Sequence, residues 1–200
     1  MAYLIGSIPT AVWIGKHFYG IDVREFGSGN AGATNTFRVL GKNAGIPVLI
    51  IDILKGSSAV ALSYLSSYTV GSSEFINLQL GLGIAALVGH IFPVFAGFRG
   101  GKGVATILGI VICILPFATC LSLCVFLIVL FSSRIVSLSS MLGGLAFPFI
   151  LSIVFHNQNP VLMAFSVVVA LLLVITHRKN IKRLLNKQES KIELFAVKGK

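Results

Sequence analysis

Apolar residues run through this chain in segments too long for a soluble core. They fall at about 2–19, 44–66, 76–96, 104–131, 138–155 and 160–176. A helix that crosses the hydrocarbon core of a bilayer needs roughly 20 such residues. The pattern therefore predicts an all-α, polytopic membrane helix bundle. The 104–131 run is longer than one crossing requires, and Pro116 interrupts it. A proline removes a backbone donor and breaks or kinks a helix. The run reads either as one long tilted span or as two short helices.

The basic residues choose between these. Arg24, Arg38 and Lys42 fall in the first loop, Arg99 and Lys102 in the third, and Arg134 after the ambiguous run. The tail holds Arg178, Lys179, Lys182, Arg183, Lys187, Lys191, Lys198 and Lys200, whereas 67–75 and 156–160 contain no Lys or Arg. Lys and Arg concentrate on the cytoplasmic side of membrane proteins. A single crossing at 104–131 would put Arg134 and the tail outside. A segment that enters and returns at Pro116 keeps every basic loop inside. The expectation is about seven transmembrane helices, the fourth and fifth short, with the N-terminus out and the C-terminus in. Short helices that leave irregular backbone at membrane depth imply a wet or protein-lined cavity, here one open to the cytoplasm.

Composition agrees. Of 200 residues, 56% are hydrophobic and 11% charged, against about 25% charged in soluble domains. Residues 1–200 are expected to form a single integral-membrane domain, with 177–200 a basic cytoplasmic tail. The formal charge of +10 follows from basic cytoplasmic loops, and no nucleic-acid-binding motif accompanies it, so no nucleic-acid partner is expected. Cys113, Cys120 and Cys124 share one apolar run without metal-ligand spacing to His partners, and read as small buried or lipid-facing residues. No basic stretch precedes the first apolar run, so a cleavable signal peptide is not expected.

Four polar stretches interrupt the apolar pattern. The first, GSGNAGATNTFRVLGKN at 27–43, satisfies the dinucleotide spacing G-x-G-x-x-G, with Asp52 further on. That fingerprint must follow a β-strand and open a helix in a βαβ unit, and here a membrane span precedes it. What is left is a cytoplasmic loop whose small residues, Gly32 among them, let backbone approach an anion. Ser28, Asn30, Thr34 and Asn35 offer hydrogen bonds, and Arg38 offers a fork suited to phosphate oxygens. A plain glycine-rich turn is the bland alternative. Asp52 and Lys55 form an i,i+3 pair within the second span, either marking a site in the bundle interior or neutralising each other structurally.

In the second stretch, GHIFPVFAGFRGGKGVAT at 89–106, Gly100, Gly101, Lys102 and Gly103 form a phosphate-cradling loop with a point-charge donor ahead of a helix. Gly103 stands where an NTPase P-loop needs Ser or Thr for Mg²⁺. His90 reads more readily as a hydrogen-bonded structural histidine than as a catalyst. The third stretch, RIVSLSSM at 134–141, offers Ser137, Ser139 and Ser140 either to a ligand or back to their own helix. In the fourth, THRKNIKRL at 176–184, His177, Asn180 and Arg183 share one helix face. The pattern H-x-x-x-x-D at His17–Asp22 matches acyl-CoA-dependent acyltransferases, a spacing short enough to arise by chance.

Together these stretches resemble the bacterial acyl-phosphate:glycerol-3-phosphate acyltransferases, the PlsY family, from Gly6-Ser7-Ile8-Pro9 to the tail near Glu189. GSGNAGATNTFR, GHIFPVFAGFRGGKGVAT, SLSS and HRKNIKRL occur in the family's order. The resemblance implies transfer of an acyl group from acyl phosphate to the sn-1 hydroxyl of glycerol 3-phosphate at the inner (plasma) membrane of a bacterial cell. The products are lysophosphatidic acid and phosphate, in the first step of phospholipid synthesis. It implies Ser28 and Arg38 as the essential pair of the first motif, with Asn30, Gly32, Thr34 and Asn35 lining a phosphate site. The glycine loop with Lys102 becomes the glycerol 3-phosphate site, Ser137 a substrate contact, and His177 and Asn180 the functional residues of the last motif. Lys55 joins the substrate-binding set, and Glu189 corresponds to a structural glutamate. The family often has Pro at Ala31, and its Gly-Thr-Glu reads Lys187-Gln188-Glu189 here. Membrane lipids and the soluble enzyme that makes acyl phosphate are the implied partners.

An acyl phosphate is already activated, so the protein has mainly to orient two anions and screen their repulsion. No cofactor or metal is expected. His177 is the best side-chain candidate for general base, the alternative being a substrate phosphate oxygen. A transporter of an organic phosphate is the competing class. Such proteins often carry internal repeats, and neither GSGNAGATN nor GGKG recurs.

Overall fold

The computed structural model describes residues 1–157 and 159–192, and among them every regular element is helical. The chain forms two compact units, Met1–Pro116 and Phe117–Lys200.

The first unit begins with α1 (Ala2–Gly6) and α2 (Thr10–Tyr19). The sequence suggests one span over 2–19, but the helix breaks between Gly6 and Thr10. Pro9 has no N–H to donate and disfavours helical geometry at Ile8, so Ser7 N closes the last turn on Tyr3 O at 2.8 Å. Then come α3 (Ala33–Leu40), α4 (Lys42–Ala61), α5 (Ser73–Ile91) and α6 (Val104–Ile114). With the short turns that follow them, α4 and α5 become continuous apolar segments of 24 residues each, Lys42–Leu65 and Ser73–Ala96, long enough to cross a membrane.

Close backbone approach holds this unit together. Helices in lipid gain little from apolar burial alone, so small residues that permit tight packing matter more. Gly56 of α4 lies on the Thr106 carbonyl of α6, and Gly109 of α6 lies on the Ile53 carbonyl of α4; a Cβ at either would collide. Ser57 Oγ donates to Gly109 O at 2.9 Å across the same seam. Ala2, Ala59 and Ala86 bring α1, α4 and α5 together in a core of the same small-residue kind.

The second unit comprises α7 (Pro116–Ser133), α8 (Val136–Phe149), α9 (Pro160–Thr176) and α10 (Arg178–Leu185). A π-helical turn, Ile150–Val154, extends α8. Asn159 caps α9, its side-chain oxygen accepting from Val161 N and Leu162 N at 3.0 and 3.2 Å, with Pro160 in the first turn, where its missing donor costs nothing. Ser122 Oγ ties α7 to the Gly143 carbonyl of α8 at 2.6 Å. The chain bends by 59° between α9 and α10.

The break expected at Pro116 is present: α6 ends at Ile114 and α7 starts at the proline. The two helices differ in length, however. With 11 residues, α6 spans about 16 Å, roughly half the hydrocarbon thickness. With 18 residues α7 is long enough to cross, so of the two elements expected to be short only α6 is. Pro116 at its first position starts α7 favourably, and no charged residue or further proline interrupts it before Ser133.

Candidate active site

The first polar loop folds around Asn35. This side chain is 1% exposed, and its oxygen accepts from Ser28 N at 2.8 Å and from Ser28 Oγ at 3.0 Å. Its amide nitrogen donates to Val23 O and Phe26 O at 2.8 and 3.2 Å. Asn35 therefore closes residues 23–28 into a ring and fixes the Ser28 rotamer. Gly32 precedes the first turn of α3 and its carbonyl accepts from Asn35 N and Thr36 N at 3.1 Å, so the helix N-terminus lies beside Asn30 and Thr34. Such an end favours anions. Thr34 and Arg38 are exposed, and a Cβ at Gly27 would come within van der Waals reach of the Arg38 stem.

The glycine loop lies against this one. Gly100 N and Gly101 N donate to Ile91 O and His90 O, both at 3.2 Å, so the chain wraps the end of α5. Gly101 is buried between the His90 ring and the Ala31 carbonyl, and a side chain there would strike His90 Nε2. Gly103 takes φ +85° to start α6, a conformation that glycine adopts without steric cost. Lys102, half-buried, sits between them. Beneath the loop, Lys55 Nζ lies 2.9 Å from Asp52 Oδ1 and donates to Ile8 O at 3.1 Å. His90 Nδ1 meets Thr106 Oγ1 at 3.1 Å and lies 3.9 Å from Asp52 Oδ1. Lys55 and His90 thus belong to one buried polar cluster under the loop, and Lys55 is 5% exposed.

The loops are also joined by a residue that sequence reasoning used only as a topological charge. Arg24 donates from Nε and Nη2 to the two carboxylate oxygens of Asp22 at 2.9 and 2.7 Å. Its Nη1 donates to Ala96 O at 2.7 Å and Arg99 O at 3.2 Å. The Arg24 guanidinium holds the Asp22 carboxyl well below the usual carboxylate range, and Lys16 adds to this. Asp22 is thereby engaged, and His17 is exposed with its ring edge-on to Phe18. The carboxylate of the H-x-x-x-x-D pattern serves the loop rather than a histidine.

In the second unit the last motif closes on Glu189. Its Oε1 accepts from Ser137 Oγ at 2.8 Å and from Asn180 Nδ2 at 2.6 Å, and its Oε2 accepts from Arg183 Nε at 2.6 Å. Burial opposes the charge on Glu189, but the hydrogen bonds from Arg183, Asn180 and Ser137 outweigh it and hold the carboxyl below its ordinary range. Ser139 and Ser140 bond back to Ile135 O and Val136 O, each at 2.8 Å. His177 is buried where α9 bends into α10, and its Nδ1 lies 2.7 Å from Leu173 O. A carbonyl can only accept, so Nδ1 carries a proton.

Two adjoining small-residue loops with cationic side chains, set among membrane-length helices, define an integral membrane protein built to handle anions. The chain matches the glycerol-3-phosphate acyltransferase family model over residues 1–187. It is 47% identical to a glycerol-3-phosphate acyltransferase of Listeria monocytogenes and 45% identical to glycerol-3-phosphate acyltransferase 2 of Bacillus anthracis. These matches cover 96% of this chain, and 94% and 96% of the relatives. The fold is similar to the crystal structure of PlsY, an integral membrane glycerol 3-phosphate acyltransferase, in its glycerol 3-phosphate form. The TM-score is 0.86 at 36% identity, over 96% of this chain and 92% of that one. The lysophosphatidic acid form gives 0.81 at 35% identity, with the same coverage. The chain belongs to the glycerol-3-phosphate acyltransferase family.

Proposed function

We propose that this protein is a membrane acyltransferase that moves a fatty acyl group from acyl phosphate to the sn-1 hydroxyl of glycerol 3-phosphate. The hydroxyl oxygen attacks the acyl carbon, the carbon–oxygen bond to phosphate breaks, and lysophosphatidic acid and inorganic phosphate leave. One observation carries this reading: a Cβ at Gly101 would come within 3.2 Å of the Ala31 carbonyl, so two loops suited to anions lie side by side. Both substrates are phosphorylated, and holding two anions in fixed geometry is most of what this reaction requires. The family membership and the relatives' names support it.

In this reading Ser28, Asn30, Gly32, Thr34 and Arg38 hold the phosphate that leaves the acyl chain, and Asn35 keeps Ser28 in place. Gly100, Gly101, Lys102 and Gly103 hold glycerol 3-phosphate, and Lys55 supports that loop from below. His177 Nε2 accepts the hydroxyl proton as general base. Asn180 and Ser137 act with it, held by Glu189. The acceptor, the product and the donor class all follow from one assay. Purified protein is given acyl phosphate and glycerol 3-phosphate, with phosphate release and lysophosphatidic acid measured, and acyl-CoA supplied in parallel. Product from acyl phosphate alone is expected. Product only from acyl-CoA, or none from either donor, refutes the reading.

Charge placement supports an orientation with the N-terminus outside, about seven membrane elements with α6 entering only part of the bilayer, and the tail and site facing the cytoplasm. Residues 1–200 then act as one acyltransferase in the inner membrane, within reach of the soluble enzyme that makes acyl phosphate. A periplasm-active reporter fused after Lys200 should be silent; activity there overturns the orientation.

A further inference from the structure

We infer that Arg24, with Asp22, is a positioning residue that sets the separation of the two phosphate-handling loops. The inference rests on the function proposed above and adds to it a part no motif supplies. Residues 23–28 form the ring that holds Ser28, and residues 94–103 lead into the glycine loop. Arg24 lies in the first and donates to two carbonyls, Ala96 and Arg99, in the second. Its other two donors are taken by Asp22, whose Oδ1 also accepts from Arg24 N at 3.0 Å.

The geometry is specific to a guanidinium. Nε and Nη2 form a fork on a carboxylate, which fixes the plane of the group. With that plane fixed, the two N–H groups of Nη1 are fixed as well, and they meet two carbonyls of the opposite loop. An ammonium has no plane to fix and cannot hold both partners in this arrangement. The Arg24 side chain is 13% exposed and that of Asp22 9%, so neither is a mobile surface charge. Asp22 aims Arg24, and Arg24 ties the loops.

Each loop keeps its own internal bonds without this tie: the Asn35 ring on one side, the wrap around the end of α5 on the other. Loss of Arg24 therefore changes the relative placement of two substrates more than the binding of either. A misplacement of about 1 Å can cost on the order of 100-fold in rate.

The test compares wild type with R24A, R24K and D22N, all purified as full-length protein in detergent. The readouts are kcat, KM for glycerol 3-phosphate, and the upward shift in Tm that glycerol 3-phosphate produces. An inactive wild type sinks the proposed function and leaves the Tm readout to report on the loops. With an active wild type, R24A is expected to lose about 10- to 100-fold in kcat. Its KM should stay within about threefold, and the ligand-induced Tm shift should persist. R24K should resemble R24A. D22N still offers an acceptor, and should lose less than either. Wild-type kcat in R24A overturns the inference. So does a loss of kcat accompanied by loss of the ligand-induced shift, which marks a general structural role, and so does full rescue by R24K.

Discussion

Replacing Glu189 with glutamine tests whether the last motif depends on a buried carboxylate. The side chain is 5% exposed and accepts three hydrogen bonds, at 2.8, 2.6 and 2.6 Å. Glutamine keeps the shape and removes the charge. One of its two terminal atoms becomes an NH₂, which either meets Arg183, a donor only, or obliges Ser137 and Asn180 to turn and accept. Either way the present arrangement is lost or strained, and every bond loses charge assistance. Hydrogen bonds to charged groups contribute about 1.5–3 kcal/mol each. Arg183 is about one-third exposed and recovers part of its share from water. The net destabilisation is therefore about 2–4 kcal/mol, less than the sum of three bonds. E189Q should lower Tm in detergent and reduce turnover by at least about tenfold, because Asn180 loses the partner that orients it. An E189Q protein with wild-type Tm and turnover would refute the reasoning. The pH dependence has a fixed sign. The folded-state pKa lies below the ordinary value of 4.5, so the clamp's contribution is fully present above that value. It is lost only as pH falls below 4.5 through the native pKa. Across the neutral range it should be flat.

Three further outcomes are expected. R38K should cut kcat/KM by about tenfold or more, since a point charge replaces one of two fork bonds of about 1.5–3 kcal/mol each; near-normal kcat/KM would remove Arg38 from the phosphate site. H177Q should lose about 100-fold or more in kcat, in line with the usual contribution of a general base; retention of most turnover would pass the proton to a substrate phosphate. G101A should weaken glycerol 3-phosphate affinity severalfold, because its Cβ collides with His90 Nε2, and an unchanged KM would show that the loop does not hold that substrate.

The parts of this fold legible in the sequence were those written in local chemistry. Apolar run length gave the long helices, and Pro116 gave the break before α7. The same rule applied at Pro9 divides the first segment, which the apolar pattern alone reads as one span over 2–19. The motifs located the glycine turns, but the first stretch reads as a loop through 43, whereas Ala33–Leu40 is helical and α4 begins at Lys42; roles within the turns stay ambiguous. Asn35 reads as a ligand-binding amide, yet its atoms face Ser28, Val23 and Phe26. Ser137 and Glu189 are 52 residues apart, and no periodicity encodes that pairing. Arg24 had the signature of a loop cation, and only the direction of its guanidinium reveals the tie.

The Asp52–Lys55 pair also bears on how the protein is made. A lone Asp or Lys at the centre of a membrane helix costs about 2.5–3.5 kcal/mol on insertion, and α4 carries one of each. Their mutual contact offsets part of this while α4 is alone in the bilayer. The remainder is relieved from two directions. The Ile8 carbonyl, which accepts from Lys55, is already synthesised when α4 emerges from the ribosome. His90, which faces Asp52, arrives only with the end of α5. The buried environment of the pair is therefore complete only when the Ile8 turn and the end of α5 are both in place. The charges beneath the glycine loop thus tie the burial of α4 to the packing of segments before and after it in the chain.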